Sequence, residues 1–207
     1  MIQEPVVILT NGRYPTHSLP IQKINEAAFI ICCDGAVNQL SDEGLEPDII
    51  IGDLDSIDEK LKSKYEDIIV HITEQDENDL RKAIAWAEHA KINKITILGA
   101  TGRRDDHSLG NIFSLLQFPT PANCTLITDY GTFSTVENKK KIKSYKGQQI
   151  SIFSLDAEIK ITSTNLKYNL NNTILNTLYI GTLNESLEDY FTLALSHGKI
   201  LVYQVSA

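Results

Sequence analysis

The feature that most limits what this chain can fold into is a series of short apolar runs, each stopped by a polar or glycine-containing turn. Val6–Leu9 leads to Asn11-Gly12, Phe29–Cys33 to Asp34-Gly35, and Asp48–Ile51 to Gly52-Asp53. Ile68–Val70 leads to Glu74-Gln75-Asp76, Ile95–Leu98 to Gly99, and Leu126-Ile127 offers a sixth run. Runs this short and continuous suit strands buried on both faces, as in a parallel sheet. Helical spacing separates them. Leu80, Ala83, Ile84 and Ala87 recur at i, i+3, i+4, i+7, and Leu109, Ile112, Phe113 and Leu116 repeat the pattern. Each set predicts an apolar stripe on one helix face. Trp86, in the first helix, is expected to pack. Alternating strands and helices predict right-handed crossovers and an open, mostly parallel α/β sheet with flanking helices, Rossmann-like in outline.

Near Pro119 and Pro121 the pattern changes, and from about residue 132 helical periodicity fades. Gln149–Phe153, Ile159–Thr162 and Tyr190–Leu195 alternate in the manner of half-buried strands. Ser196-His197-Gly198-Lys199 predicts a hairpin turn leading to a last strand at Ile200–Tyr203. Lys139-Lys140-Lys141 is expected to be a solvated turn. The expected organisation is an α/β domain over residues 1–131 followed by a small all-β sandwich domain over 132–207.

Charge narrows the function. The net charge of −8 disfavours nucleic-acid partners, which need a basic face. Phosphate ligands remain open if local cations or a metal assist. Cys32, Cys33 and Cys124 form no metal or redox spacing and are expected to be buried free thiols. The start of the chain lacks a signal-peptide pattern, and no apolar run approaches the roughly 18 residues that span a membrane. A reduced, cytoplasmic protein is expected.

The unusual residues cluster just past strand ends, the edge where open α/β sheets bind ligands. In Gly52-Asp53-Leu54-Asp55-Ser56, two carboxylates on one turn can share a cation, and hard oxygens suit Mg²⁺. The competing reading is a helix start, since Ser56-Ile57-Asp58-Glu59 fits a capping box. Gln75-Asp76-Glu77-Asn78-Asp79 precedes a helix that Asn78 or Asp76 can cap, yet it holds more carboxylate and amide groups than one cap needs. Asp79 can aim at the same place as Asp53. Gly99–His107 joins a glycine-containing loop at a helix N-terminus to two arginines, a phosphate-suited combination. The alternative there is an exposed, salt-bridged loop. GxxxxGK[ST], GxGxxG after the first strand and GxSxG are all absent. Aspartates, arginines and a glycine loop remain, a set suited to metal-assisted phosphoryl chemistry.

Four motifs in order resemble the thiamin pyrophosphokinase family. They are Asp34-Gly35-Ala36-Val37-Asn38; Pro47-Asp48 with Gly52-Asp53-Leu54-Asp55-Ser56; Gln75-Asp76-Glu77-Asn78-Asp79; and Gly102-Arg103-Arg104-Asp105-Asp106-His107-Ser108-Leu109-Gly110-Asn111. The β-rich tail is similar more loosely, through Leu166–Leu170 and Gly181–Glu185. The resemblance implies transfer of a pyrophosphoryl group from ATP, as co-substrate, to the hydroxyl of thiamin, with Mg²⁺ required. It implies Asp53, Asp55 and Asp79 at the metal and, with Arg104 and Asp106, in the transfer chemistry. It implies Asp34, Gly35, Asn38, Gln75, Gly102, Arg104, His107 and Asn111 around the nucleotide, and Tyr168 and Asn184 near thiamin. A homodimer with sites between chains is also implied. Departures are Ala36 and Arg103 for glycines, Asn78 for threonine and Leu183 for serine. The last keeps two other readings in view: a pyrophosphokinase acting on another hydroxymethyl acceptor such as a pterin, and a non-catalytic nucleotide- or thiamin-binding protein.

Overall fold

A computed structural model describes residues 2–74, 76–117 and 123–206. Gln75, Pro119 and Pro121 therefore lie outside the described residues. The chain divides into two compact units. The first runs to Ser114 and resumes through Asp129; the second takes Leu115–Gln117 and the chain from Tyr130 onward.

The first unit alternates as the apolar runs predict. Its elements are β1 (Val6–Leu9), α1 (Ser18–Asn25), β2 (Phe29–Cys33), α2 (Ala36–Asp42), β3 (Ile49–Gly52), α3 (Glu59–Lys64), β4 (Ile69–His71), α4 (Asp79–His89), β5 (Lys94–Leu98), α5 (Asp105–Ser114) and β6 (Asn123–Ile127). The strands lie in the order β6-β5-β1-β2-β3-β4, every neighbouring pair parallel. Ile8, Leu9, Ile31, Ile50, Ile51 and Ile97 are fully buried, which is why these strands read as unbroken apolar runs. Cys32, Cys33 and Cys124 are buried and form no disulfide among the described residues.

Helix α4 forms as its spacing dictates. Leu80, Ala83, Ile84 and Ala87 are buried, and Asn78 caps the helix, its side chain accepting from Arg81 N at 3.0 Å. Trp86 stacks on Phe29 with ring centroids 6.2 Å apart, so it packs. Three local expectations fail. Ile68 belongs to a 3₁₀ turn, so β4 begins one residue later. The Ser56 capping box is not made: α3 starts at Glu59 after Asp58, and the Ser56 hydroxyl donates instead to Asp55 Oδ1 at 2.7 Å. The α5 stripe is broken, because Leu109 is 58% exposed while burial falls at Ser114 and Leu115. Only one end of α5 meets the core, so its apolar period outruns its burial.

The second unit is antiparallel β. It holds β7 (Gly131–Lys143), β8 (Gln149–Phe153), β9 (Lys160–Thr164), β10 (Thr173–Ile174), β11 (Asn184–Glu185) and β12 (Tyr190–Val205). β12 pairs with β7 along nearly its whole length. Its other edge pairs with β9 through Thr192–Leu195 and with β8 through Leu201–Gln204. Phe191, Leu193, Ile200 and Val202 of β12 join Ile150, Ile152, Ile159 and Ile161 in one apolar cluster.

The expected hairpin at Ser196–Lys199 is a correction. Residues on both sides of it pair antiparallel with the same strand, Tyr190–Ala194 with Lys139–Lys143 and Lys199–Val205 with Gly131–Glu137. The chain therefore never reverses; Gly198, at φ +68°, lies in a bulge within one strand. Lys139-Lys140-Lys141 likewise lies inside β7 and not in a turn, with Lys141 Nζ 3.6 Å from the centre of the Tyr190 ring.

Candidate active site

The loops after the parallel strands share one edge, and the strand order reverses at β1, so a crevice opens beside the ends of β1 and β5. The two loops are zipped together by backbone bonds. Thr10 N donates to Leu98 O at 2.9 Å, Gly12 N to Gly99 O at 2.7 Å and Arg13 N to Thr101 O at 2.8 Å. A cleft of about 720 Å³ lies here, lined by Asn11, Asp53, Asp79, Arg103, Arg104 and Asn111 among others.

Carboxylates come to this edge of the sheet from three loops. Carboxylate oxygens of Asp34, Asp53 and Asp55 all lie within 4.8 Å of one another. Backbone geometry brings them there. Asp34 (φ +43°) and Leu54 (φ +69°) both occupy the left-handed region, which costs about 1–2 kcal/mol for a residue with a side chain. Leu54 keeps that conformation because its side chain is buried in the core cluster. Gly35 is needed beside it: a Cβ there would stand 2.7 Å from both Asn11 Nδ2 and Ser56 O.

Electrostatics mark the same cluster. Asp34 is buried and its Oδ1 has no hydrogen-bond partner. Burial pushes its carboxyl above the usual range, the nearby polar groups of Ser56 and Gly35 oppose that, and Asp79 and Asp55 add repulsion. Asp79, at the start of α4, is also raised. Burial is the main cause, the ammonium of Lys82 opposes it, and Asp53 and Asp55 push further up. Raised carboxyls beside other carboxylates mean the ionised cluster is unfavourable without a cation or proton.

The other polar groups mostly hold loops together. Asn38 Nδ2 donates to Ser56 O at 3.0 Å and its Oδ1 accepts from Asp58 N at 3.2 Å. Asn111 Nδ2 donates to Ala100 O at 3.0 Å and its Oδ1 accepts from Asn78 Nδ2 at 3.2 Å. Gly102 turns the loop at φ +89°, where a Cβ would press on Arg13. Arg104 forms two bonds with Asp106, Nε to Oδ1 at 3.1 Å and Nη2 to Oδ2 at 2.6 Å. That guanidinium holds the Asp106 carboxyl down at about 2. His107 lines the cleft, whereas Asp34, Gly35, Asn38, Asp55, Gly102 and Asp106 lie outside its lining.

Two models of one family match the chain, the thiamin pyrophosphokinase catalytic domain over residues 21–128 and its substrate-binding domain over 131–203. The chain belongs to the thiamin pyrophosphokinase family. The thiamine pyrophosphokinase of Bacillus subtilis (strain 168) is 30% identical, the match covering 86% of this chain and 87% of that one. The crystal structure of a Bacillus subtilis thiamine pyrophosphokinase superposes with TM-score 0.80 at 25% identity, over 98% of this chain and 99% of the other. Thiamin pyrophosphokinase 1 of Caenorhabditis elegans is 32% identical over a shorter stretch, 51% of this chain and 46% of that protein. The chain is thus a member of a transferase enzyme family. Among the described residues, no helix is long and apolar enough to cross a membrane.

Two cleft residues lie outside the four motifs. Lys82 Nζ donates to Asp79 Oδ1 at 3.3 Å and to Ile72 O at 3.2 Å, and its side chain is only 6% exposed. It falls opposite the apolar stripe of α4, where helical spacing predicts a solvated lysine. Its signal was the i,i+3 pairing with Asp79. In sequence Asn11 is half of a turn signal, yet it accepts from Arg103 and abuts Gly35. In the second unit, Asn184 is buried. It accepts from Tyr168 N at 3.1 Å and donates to Tyr168 O at 2.8 Å, so it clamps that loop while the Tyr168 ring is 63% exposed.

Proposed function

We propose that the chain transfers the pyrophosphoryl group of ATP to the hydroxyl of thiamin, giving thiamin diphosphate and AMP, with Mg²⁺ held by Asp53, Asp55 and Asp79. The observation that carries this reading is the cluster of Asp34, Asp53 and Asp55, with the unpartnered buried Oδ1 of Asp34 in it, beside the cleft that Asp53 and Asp79 line. All the donors are hard oxygens, the set that suits Mg²⁺. When bound, Mg²⁺ supplies neutralisation of phosphate charge.

The remaining work falls to the chain's own groups. Lys82 keeps the Asp79 carboxylate ionised and oriented. The loop after β5 presents arginines to the anion, Arg104 being positioned by Asp106. Asn38, Gly35, Gly102 and Asn111 hold the loops at the spacing the nucleotide requires, with Gln75 and His107 as further nucleotide contacts. ATP carries about four negative charges, and repulsion from this cluster at a few ångströms is worth several kcal/mol even at a dielectric near 20. The nucleotide therefore binds together with its cation.

We assign residues 1–131 to catalysis and ATP binding and 132–207 to thiamin binding. There the Tyr168 ring is the substrate contact and Asn184 fixes the loop beneath it. The working enzyme is read as a homodimer of the cytoplasm, where three free thiols stay reduced. Asp53→Asn tests the metal assignment. Turnover should fall by about two orders of magnitude or more, as for loss of a group acting on transition-state charge, with the fold intact by circular dichroism. A variant that turns over within a few-fold of the parent removes Asp53 from the metal site.

A further inference from the structure

We propose that Arg103, beyond the Arg104 contact, brings to the phosphates of the nucleotide a positive charge that no carboxylate of this cleft compensates. The inference rests on the pyrophosphoryl-transfer reading above and names a specificity residue within it.

The cations lining the cleft differ in what they already hold. Lys82 is paired with Asp79 and bonded to Ile72 O. Arg104 has its planar fork on Asp106, through both Nε and Nη2. Among the described residues, Arg103 is bonded only to a neutral residue, Nη1 donating to Asn11 O at 3.2 Å and to Asn11 Oδ1 at 2.8 Å. Among the described residues, no carboxylate pairs with it. A phosphate oxygen competing for Arg104 must displace a carboxylate already in bidentate contact. At Arg103 it need only replace an amide and a carbonyl. Exchanging a neutral acceptor for a charged one strengthens the bond, so the second exchange is favoured.

Arg103 is also held where it can act. Its loop is tied to the end of β1 by the Gly12–Gly99 and Arg13–Thr101 backbone bonds, and Gly102 sets the turn just before it. The chain enters α5 two residues later, at Asp105. The acidic residues of the cleft come from the loops after β3 and β4, and the arginines from the loop after β5. A metal-bound polyphosphate needs a cation on the side away from the carboxylates, and Arg103 has one to give. It stands where the motif otherwise has glycine, so the chain adds this contact to the shared machinery.

Calorimetric titration of Mg²⁺–ATP without thiamin tests this, at low and moderate salt, on the wild type, Arg103→Gln, Arg103→Gly and Arg103→Lys. Binding should weaken about tenfold or more in the glutamine and glycine variants, the size of one lost charge-assisted contact. Its salt dependence should flatten, since a screened charge has gone. Lysine should restore part of the affinity, keeping the charge without the fork. Arg103 is exposed, so melting temperatures without ligand should stay close to wild type. An Arg103→Gln protein that binds ATP as tightly as wild type, with the same salt dependence, overturns the inference alone. So does a lysine variant as weak as glutamine, which would mean the Asn11 contact matters and the charge does not. A wild type that binds no ATP overturns the nucleotide reading and this inference together.

Discussion

Asp34 carries a cost to the fold that a single side chain sets. Its buried Oδ1 lacks a partner, and its carboxyl is raised first by burial. A raised carboxyl means the folded state favours the protonated form, so its ionisation costs stability as pH rises through that raised value. Asp34→Asn should therefore melt higher than the parent at pH 7 without divalent ions, and lose the stabilisation that Mg²⁺ gives the parent. A variant that melts lower and keeps its Mg²⁺ response contradicts this. Asp129 has the opposite sign. Burial pushes its carboxyl up, but bonds from His17 N, Thr16 Oγ1 and Thr16 N outweigh that and hold it below the usual range. Its stabilisation is present above the unfolded carboxyl value and is lost as pH falls through the folded one. Asp129→Asn should cost about 1 kcal/mol at pH 7, the size of one typical hydrogen bond lost, and the gap from wild type in urea unfolding should close below about pH 4. At this scale the structure brings Asp34, Asp53 and Asp55 together, although each of those loops taken alone reads equally well as a helix start. Lys82 was not legible in the sequence, since helical periodicity gives no hint that a neighbouring carbonyl and Asp79 bury its ammonium.

Elements followed the sequence where one face or both met a core. The strands β1, β2, β3 and β5 and the helix α4 were legible because burial on both faces or along one stripe writes a pattern into the residues. Local signatures misled where a distant partner decided. Ser-His-Gly-Lys has turn chemistry, but twelve register pairs with β7 keep β12 a single strand. Ser56 and Glu59 have capping-box spacing, but the hydroxyl is taken by Asp55, so the helix starts later. Asn78, by contrast, caps α4 as expected and also donates to Asn111. Asn78→Ala should cost about 1 kcal/mol in urea unfolding, the typical value of an N-cap. Asn78→Asp, which keeps the accepting oxygen, should recover most of it. A change within error for the alanine variant would show that the Arg81 N–H bond adds nothing to α4.

For the whole molecule, order along the chain carried what no single motif could. Each acidic loop read alone is as well explained by a helix start as by a metal site. Their shared edge follows only from strands that are adjacent and parallel, and the order β6-β5-β1-β2-β3-β4 supplies that adjacency. The β tail was legible as alternation but not as topology, because the pairing of β12 with three strands is non-local. The central claim is that the cleft moves a pyrophosphoryl group from ATP to thiamin and depends on a divalent cation to do so. The most direct measurement is AMP release by the purified protein with ATP, with and without thiamin and with and without Mg²⁺. The account predicts AMP and thiamin diphosphate in equal amounts only when both are present. AMP formed with a hydroxymethylpterin and not with thiamin, or undiminished turnover after the divalent cation is chelated, would contradict it.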